Sequence, residues 1–268
     1  MSGPKTILIT GASSGFGLVT ARKLAGAGHR VFGTSRNPSG CEADGFALLP
    51  LDVTSDESVS ECITSLRERV GRIDVLVNNA GLAQDSLVEE TPLEQARPVF
   101  ETNFWGVVRL TNAVLPWMRE QGSGLIVNVS SLAGLVGTPG QGFYAASKHA
   151  LEGYTEALRA ELTGQSIRIV LVEPGFFQTN LHSSMVRRSN QIAAYDGLRQ
   201  RVSNRLERSF TDGGDPEQVA EMIQHVIGEN ARRFRYLVGS DAHTTHRLRK
   251  WLPEAWFQNG LRRKFGIG

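Results

Sequence analysis

Cysteine is scarce in this chain. Cys41 and Cys62 are the only two in 268 residues, and neither stands in a C-x-x-C pair or another ligand-like spacing. Their scarcity argues against a disulfide framework or a structural zinc, and fits a reduced, cytoplasmic compartment. A charge excess is also missing. Lys and Arg number 29 against 27 Asp and Glu, a net +2 that makes no strong demand for nucleic acid. No uncharged apolar run is long enough to span a bilayer. The N-terminus enters an apolar strand without a basic n-region and small-residue cleavage site, so no signal peptide is expected. Repeats and low-complexity linkers are absent, and 1–268 reads as one domain. Asn128-Val129-Ser130 matches a glycosylation sequon, but it lies in an apolar strand pattern, where a chance match is the better reading.

What is present is alternation. Thr6–Thr10, Val31–Thr34, Phe46–Leu51, Ile73–Val77, Leu125–Val129 and Ile167–Val172 are brief, nearly continuous apolar runs, as strands covered on both faces are. Between them, Phe16–Ala27, Asp56–Val70, Leu93–Glu120, Tyr144–Leu162 and Pro216–Ile227 carry helical patterning, and Pro98 and Pro116 should bend or end the long central helix. The pattern predicts an α/β fold, a doubly wound Rossmann-type parallel sheet with helices on both faces. Residues 176–214 break the rhythm. Rich in Arg, Ser and Asn and without a clear strand, they are expected to form a mobile substrate lid.

Thr10-Gly11-Ala12-Ser13-Ser14-Gly15-Phe16-Gly17 joins the first strand to the first helix. Its glycines permit a tight turn, close backbone approach to a pyrophosphate and close helix–strand packing. The helix N-terminus adds free N–H groups and a positive dipole end. Further along, Tyr144 and Lys148 stand four apart on a predicted helix and so share a face. A phenol is a poor base at neutral pH, but a nearby ammonium would lower its pKa and fit it for proton transfer.

Together with Asn78-Asn79-Ala80-Gly81, Ser130-Ser131 and Pro174-Gly175, these motifs resemble the short-chain dehydrogenase/reductase family in order and spacing, from about residue 5 to 240. The resemblance implies an oxidoreductase that moves a hydride between a nicotinamide and a carbonyl or alcohol. It casts Tyr144 as acid/base, Lys148 as pKa-lowering and ribose-binding, and Ser131, thirteen residues before Tyr144, as the hydroxyl that orients the carbonyl. Asn103 matches an asparagine holding a proton-relay water, and Asn78 would steady the sheet. The expected cofactor contacts are Gly11, Ser13, Ser14, Gly15, Phe16, Gly17, Asp52, Val53, Asn79, Ala80, Gly81, Asn103, Tyr144, Lys148, Pro174, Gly175, Phe177 and Thr179. Ser35 stands where NAD-users carry an aspartate and Arg36 follows it, so NADP(H) is expected.

The expected substrate pocket comprises Ser131, Leu82, Leu135, Val136, Phe143, Phe176, Phe177, Leu181 and Met185. Mostly apolar, it suits a bulky ketone, aldehyde, steroid- or retinoid-like molecule. The alternative is a catalytically silent NADP-sensing regulator on the same fold; such regulators typically lose the Tyr/Lys pair, and this chain keeps it. His243 and His246 sit three apart without an evident third ligand, so no metal is expected. From Arg187 onward 15 Lys/Arg face 9 Asp/Glu. The segment 241–268 mixes Trp251, Trp256 and Phe257 with basic residues. Packing on the domain or a partner subunit is the expectation, and interfacial membrane contact the rival. The expected assembly is a homodimer or homotetramer.

Overall fold

The computed structural model describes residues 3–38, 45–179, 186–187, 191–228 and 232–267. Its strands are β1 (Thr6–Ile9), β2 (Arg30–Ser35), β3 (Ala47–Pro50), β4 (Val75–Asn78), β5 (Gln84–Asp85), β6 (Gly124–Val129), β7 (Ile167–Pro174), β8 (Val186–Arg187) and β9 (Arg235–Val238). The helices are α1 (Gly15–Gly26), α2 (Asp56–Val70), α3 (Leu93–Phe100), α4 (Gly106–Glu120), α5 (Gly142–Glu161), α6 (Asp196–Thr211), α7 (Glu217–Gly228), α8 (Ser240–Trp251) and α9 (Glu254–Lys264). Seven strands form a parallel sheet in the order β3-β2-β1-β4-β6-β7-β9. The chain moves outward from β1 to β3, then returns to β4 on the other side of β1. That reversal opens a crevice at the carboxyl ends of β1 and β4, where open α/β sheets bind their ligands.

Strand side chains alternate between the two faces. Ile7, Ile9, Val75, Val77, Leu125 and Val127 enter one apolar core beneath α1 and α7, while Leu8, Leu76 and Ile126 enter a second beneath α2 and α4. Both faces are covered, which is why the strands read as unbroken apolar runs. Helix ends follow local chemistry. Ser55 caps α2 by accepting from Ser58 N–H at 3.2 Å, Asp56 and Glu57 sit in its first turn, and Gly71 closes it in the left-handed conformation.

Several sequence expectations are corrected. The long helix Leu93–Glu120 is three pieces: α3, a π turn over Glu101–Trp105, and α4. Pro98 and Pro116 lie inside α3 and α4 without ending either. The segment after Pro174-Gly175 is not devoid of regular structure: it contains β8, paired with β5, and the sixteen-residue α6. The seventh strand, β9, carries no unbroken apolar run. The tail forms α8 and α9, with Phe257 and Phe265 buried and Trp251 and Trp256 exposed. No helix among the described residues is long and apolar enough to cross a membrane.

Candidate active site

The turn after β1 is held open by backbone geometry. Gly11 and Gly15 have φ of 66° and 54°, a region that side chains with a Cβ rarely enter. At Gly17 a Cβ would lie 2.3 Å from the carbonyl oxygen of Gly11, so any larger residue would push α1 off the turn. Asn79 fastens the turn from the neighbouring strand: its Nδ2 donates to Thr10 O at 2.9 Å and Gly11 O at 3.3 Å, and Thr10 Oγ1 accepts from the N–H groups of Asn79 and Ala80, each at 2.9 Å. Ser13 and Ser14 are exposed. Ser14 begins α1 without a side-chain cap, and no acidic residue occupies the first turn. Donors at that end face outward, which suits a phosphate.

At the end of β2, Ser35 Oγ accepts from Asn37 N–H at 3.2 Å and no carboxylate occupies the position; Arg36 beside it is exposed. Asp52, after β3, accepts from Thr54 N–H at 2.9 Å and Thr54 Oγ1–H at 2.7 Å. The Thr54 backbone bond holds its carboxyl below the usual range, aided by Arg36 and Arg109. Val53 is buried against Gly106 at the start of α4.

Deeper in, amides knit the sheet to its helices. Asn78 Nδ2 donates to Asn128 Oδ1 at 2.9 Å across the β4–β6 register, and Asn128 Nδ2 donates to Thr155 Oγ1 of α5 at 2.9 Å. Asn128, the sequon residue, is fully buried in this ladder. Asn103 lies in the π turn. Its Oδ1 accepts from Leu82 N–H at 2.7 Å, and its Nδ2 donates to Leu82 O at 2.9 Å and Ser147 Oγ at 3.1 Å. The Asn103 side chain therefore clamps the loop after β4, and its hydrogen-bonding groups are already engaged.

Lys148 enters from α5. Its Nζ donates to Val129 O at 2.8 Å, stands 5.9 Å from the centre of the Tyr144 ring, and is 4.0 Å from the place a Cβ on Gly81 would take. Burial pulls this lysine down to about 8, partly opposed by Glu152. Burial raises the pKa of Tyr144, and only a hydrogen bond with Ser131 acts the other way, because the Lys148 ammonium is turned towards the β6 carbonyl. The phenol is held protonated, the form needed to give a proton. Ser131 caps the short turn Leu132–Gly134, accepting from Ala133 N–H at 3.1 Å.

A cleft open to solvent gathers several of these groups. Ser131, Tyr144, Thr138 and Gln141 supply its polar surface, with Pro174, Gly175 and Thr179 beside them. Phe16, Phe176, Phe177 and Phe210 supply much of the apolar wall. The rings interlock edge-to-face, Phe16 on Phe177 at 5.5 Å and Phe176 on Phe210 at 5.1 Å. Thr179 returns to the glycine turn, its Cβ 4.0 Å from the place a Cβ on Gly15 would occupy. The glycine turn and the Tyr144 phenol thus both border one crevice.

The residues 5–190 match the model of the short chain dehydrogenase family. This chain is a short-chain dehydrogenase. It is 39% identical to a 3-ketodihydrosphingosine reductase of Bacteroides thetaiotaomicron over 98% of this chain and 99% of that protein. Among solved structures, a short-chain dehydrogenase from Streptomyces avermitilis superposes with a TM-score of 0.84 at 33% identity, covering all of both chains. One from Burkholderia phymatum, in complex with NAD, reaches 0.82 at 27% identity, over 92% of this chain and 93% of that one.

Within this short-chain dehydrogenase, the structure gathers Ser131, Tyr144, Phe176 and Phe177 into the cleft, but not every expected pocket residue. Leu82, Leu135, Val136 and Phe143 are not among its lining residues. Leu82 is held by Asn103, and the backbone N–H of Phe143 donates to Gln84 Oε1 at 2.9 Å. Leu181 and Met185 lie outside the described residues. Ala83, Leu132, Ala133, Thr138, Gln141 and Phe210 line the cleft and were not singled out from the sequence. Asp241 of α8 was missed as well. Its Oδ2 accepts from Phe176 N–H at 2.8 Å, pinning the aromatic wall from 65 residues away, and no local pattern announces it. Among the described residues no group of three His, Cys, Asp or Glu side chains could hold a metal ion.

Proposed function

We propose that this enzyme is an NADP(H)-dependent carbonyl reductase and alcohol dehydrogenase for a bulky, apolar substrate. The observation that carries the reading is the cleft itself, with Tyr144 and Ser131 facing into a wall of four phenylalanines. The residues present fit the cofactor. The uncapped start of α1 and the glycine turn suit its pyrophosphate, and Ser35 with Arg36 favours a ribose 2′-phosphate over a free hydroxyl. Ser13, Asp52, Val53, Asn79, Ala80, Gly81, Pro174, Gly175, Phe177 and Thr179 would frame the rest. When bound, the nicotinamide supplies or receives the hydride.

The chain's own groups do the remainder. Ser131 Oγ orients the carbonyl oxygen by hydrogen bonding. Tyr144 gives its phenolic proton to that oxygen as negative charge builds, and takes it back in the oxidative direction. Lys148 binds ribose hydroxyls and stabilises the phenolate that Tyr144 becomes. Because the Asn103 side chain is bonded to Leu82, a relay water would bond to a backbone carbonyl of the π turn, where the hydrogen-bond ladder is interrupted. The phenylalanine wall and the similarity to a 3-ketodihydrosphingosine reductase both favour a lipid-like substrate.

A homologous series of ketones tests this. Each methylene buried is worth about 0.8 kcal/mol, so kcat/KM with NADPH should climb about three- to fourfold per added carbon until the cleft is filled. A flat series, or equal turnover of small polar ketones, overturns the apolar assignment.

A further inference from the structure

Behind the catalytic pair lies a buried charged cluster that the mechanism above does not use. Glu152 is one helical turn beyond Lys148 on α5, and Glu173 lies on β7. Both carboxylates meet one guanidinium, Arg235 of β9, whose Nη1 donates to Glu152 Oε2 and, at 2.7 Å, to Glu173 Oε1. The side chains of Glu152 and Glu173 are 7% and 0% exposed. Glu152 Oε1, Glu173 Oε2 and Ser130 Oγ are buried as well, and the Ser130 hydroxyl and the Glu173 carboxyl both stand within reach of Glu152. Gly134 makes the room: a Cβ there would stand 2.8 Å from Ser130 Oγ and 3.1 Å from Glu152 Oε1.

Two dry carboxylates sharing one guanidinium are difficult to keep ionised together. Their surroundings differ, however. Glu152 faces two cations, Lys148 on its own helix and Arg235 across from it; Glu173 faces Arg235 and the carboxyl of Glu152. Glu156 of α5 adds a distant negative charge, 3.9 Å from Arg235 Nη2, and His246 of α8 lies beyond Arg235. Burial raises both carboxyls, but the Ser130 hydroxyl, Arg235 and Lys148 pull Glu152 back towards ionisation, which favours charge on Glu152 and the proton on Glu173. Burial, followed by the charge of Glu152, pushes Glu173 up to about 7, in keeping with that division.

We propose that Glu152 is a positioning residue for the catalytic lysine: its carboxylate, fixed by Arg235, keeps Lys148 protonated inside the sheet, while Glu173 beside it holds a proton. This rests on the assignment of Lys148 above and deepens it. Among the described residues Lys148 donates to Val129 O, and burial works against its charge. The Glu152 carboxylate is the acidic group acting on it, and so decides whether a cation stands beside Tyr144 at neutral pH.

The chain has five lysines, so the ε-carbon signals of isotope-labelled Lys can be followed individually by NMR without any substrate. In Glu152→Gln the Lys148 midpoint should fall by about one pH unit or more, the size of one opposite charge removed at close range. The alkaline limb of the pH profile for ketone reduction should move down with it. Glu152→Asp, which keeps the charge, should restore most of both, and Glu173→Gln should leave the Lys148 midpoint within a few tenths. An unmoved midpoint in Glu152→Gln, or an equal fall in Glu173→Gln, overturns the proposal. Carboxyl-carbon NMR of the wild type needs no variant to fold: a protonated Glu152 beside an ionised Glu173 at pH 6 overturns it too. Because the titration is read without turnover, a wrong Tyr144/Lys148 assignment would show separately, as normal activity in Tyr144→Phe.

Discussion

At the scale of single residues, the site's selectivity and its pH behaviour rest on a few side chains. Arg36 is the exposed cation where the 2′-phosphate would lie. Losing a charge-assisted contact costs about 1.5–3 kcal/mol, so Arg36→Ala should weaken NADPH about ten- to a hundredfold and leave NADH nearly unchanged. Fluorescence titration with both cofactors measures it; a variant that retains its NADPH preference shows that Arg36 is not the selector. Glu173 sets a stability trend. Its folded pKa, about 7, lies above the ordinary 4.5, so between those values the folded chain binds more protons than the unfolded one. Stability contributed by this group is full at low pH and is lost as pH rises through 7. In urea unfolding, the wild type should lead Glu173→Gln by more at pH 5 than at pH 7.5. The opposite trend would place the proton elsewhere. Residues such as Tyr144, Lys148 and Gly11 were readable in the sequence because their spacing is local. Arg235, Asp241 and Phe210 were not. Each acts on a partner far away in the chain, and only the folded sheet brings the two together.

At the scale of elements, the expected lid includes α6, and the structure shows how that helix is held. Val202 and Leu206 pack with Leu87 and Phe265, Arg199 pairs with the fully buried Glu90, and Glu90 Oε1 accepts from Ile192 N–H at 2.9 Å. These contacts hold α6 in place, with Phe210 bordering the cleft. Breaking a buried pair is far costlier than replacing both partners. Glu90→Gln should therefore speed amide exchange in α6 by about tenfold or more while leaving β6 protected, as measured by hydrogen-exchange mass spectrometry. Equal protection in both proteins would mean that the apolar contacts hold α6 unaided. The same scale explains the missed strand. In β9 the residues alternate between half-buried and buried, Arg235 and Leu237 against Tyr236 and Val238, since an edge strand is only partly covered. Inner strands such as β1 and β4, buried at every position, gave unbroken apolar runs and were legible.

At the scale of the molecule, chain order decides where chemistry can occur. Reversal of the strand order between β1 and β4 opens the crevice, the turn after β1 lines one end, and α5 carries Tyr144 and Lys148 to the other. The α/β class and the parallel sheet followed from alternation alone, since βα repetition leaves few other solutions. The cleft's wall did not, because it is assembled from α1, the turn after β6, the segment after β7 and α6. In the proposed reaction Tyr144 donates the proton that accompanies hydride transfer. NADPH oxidation in the presence of a long-chain apolar ketone, compared between wild type and Tyr144→Phe at saturating cofactor, tests it most directly. Turnover should fall by about 10²- to 10⁴-fold, the usual worth of a positioned acid, with NADPH affinity unchanged. Near-normal turnover in the phenylalanine variant would rule out Tyr144 as the proton donor.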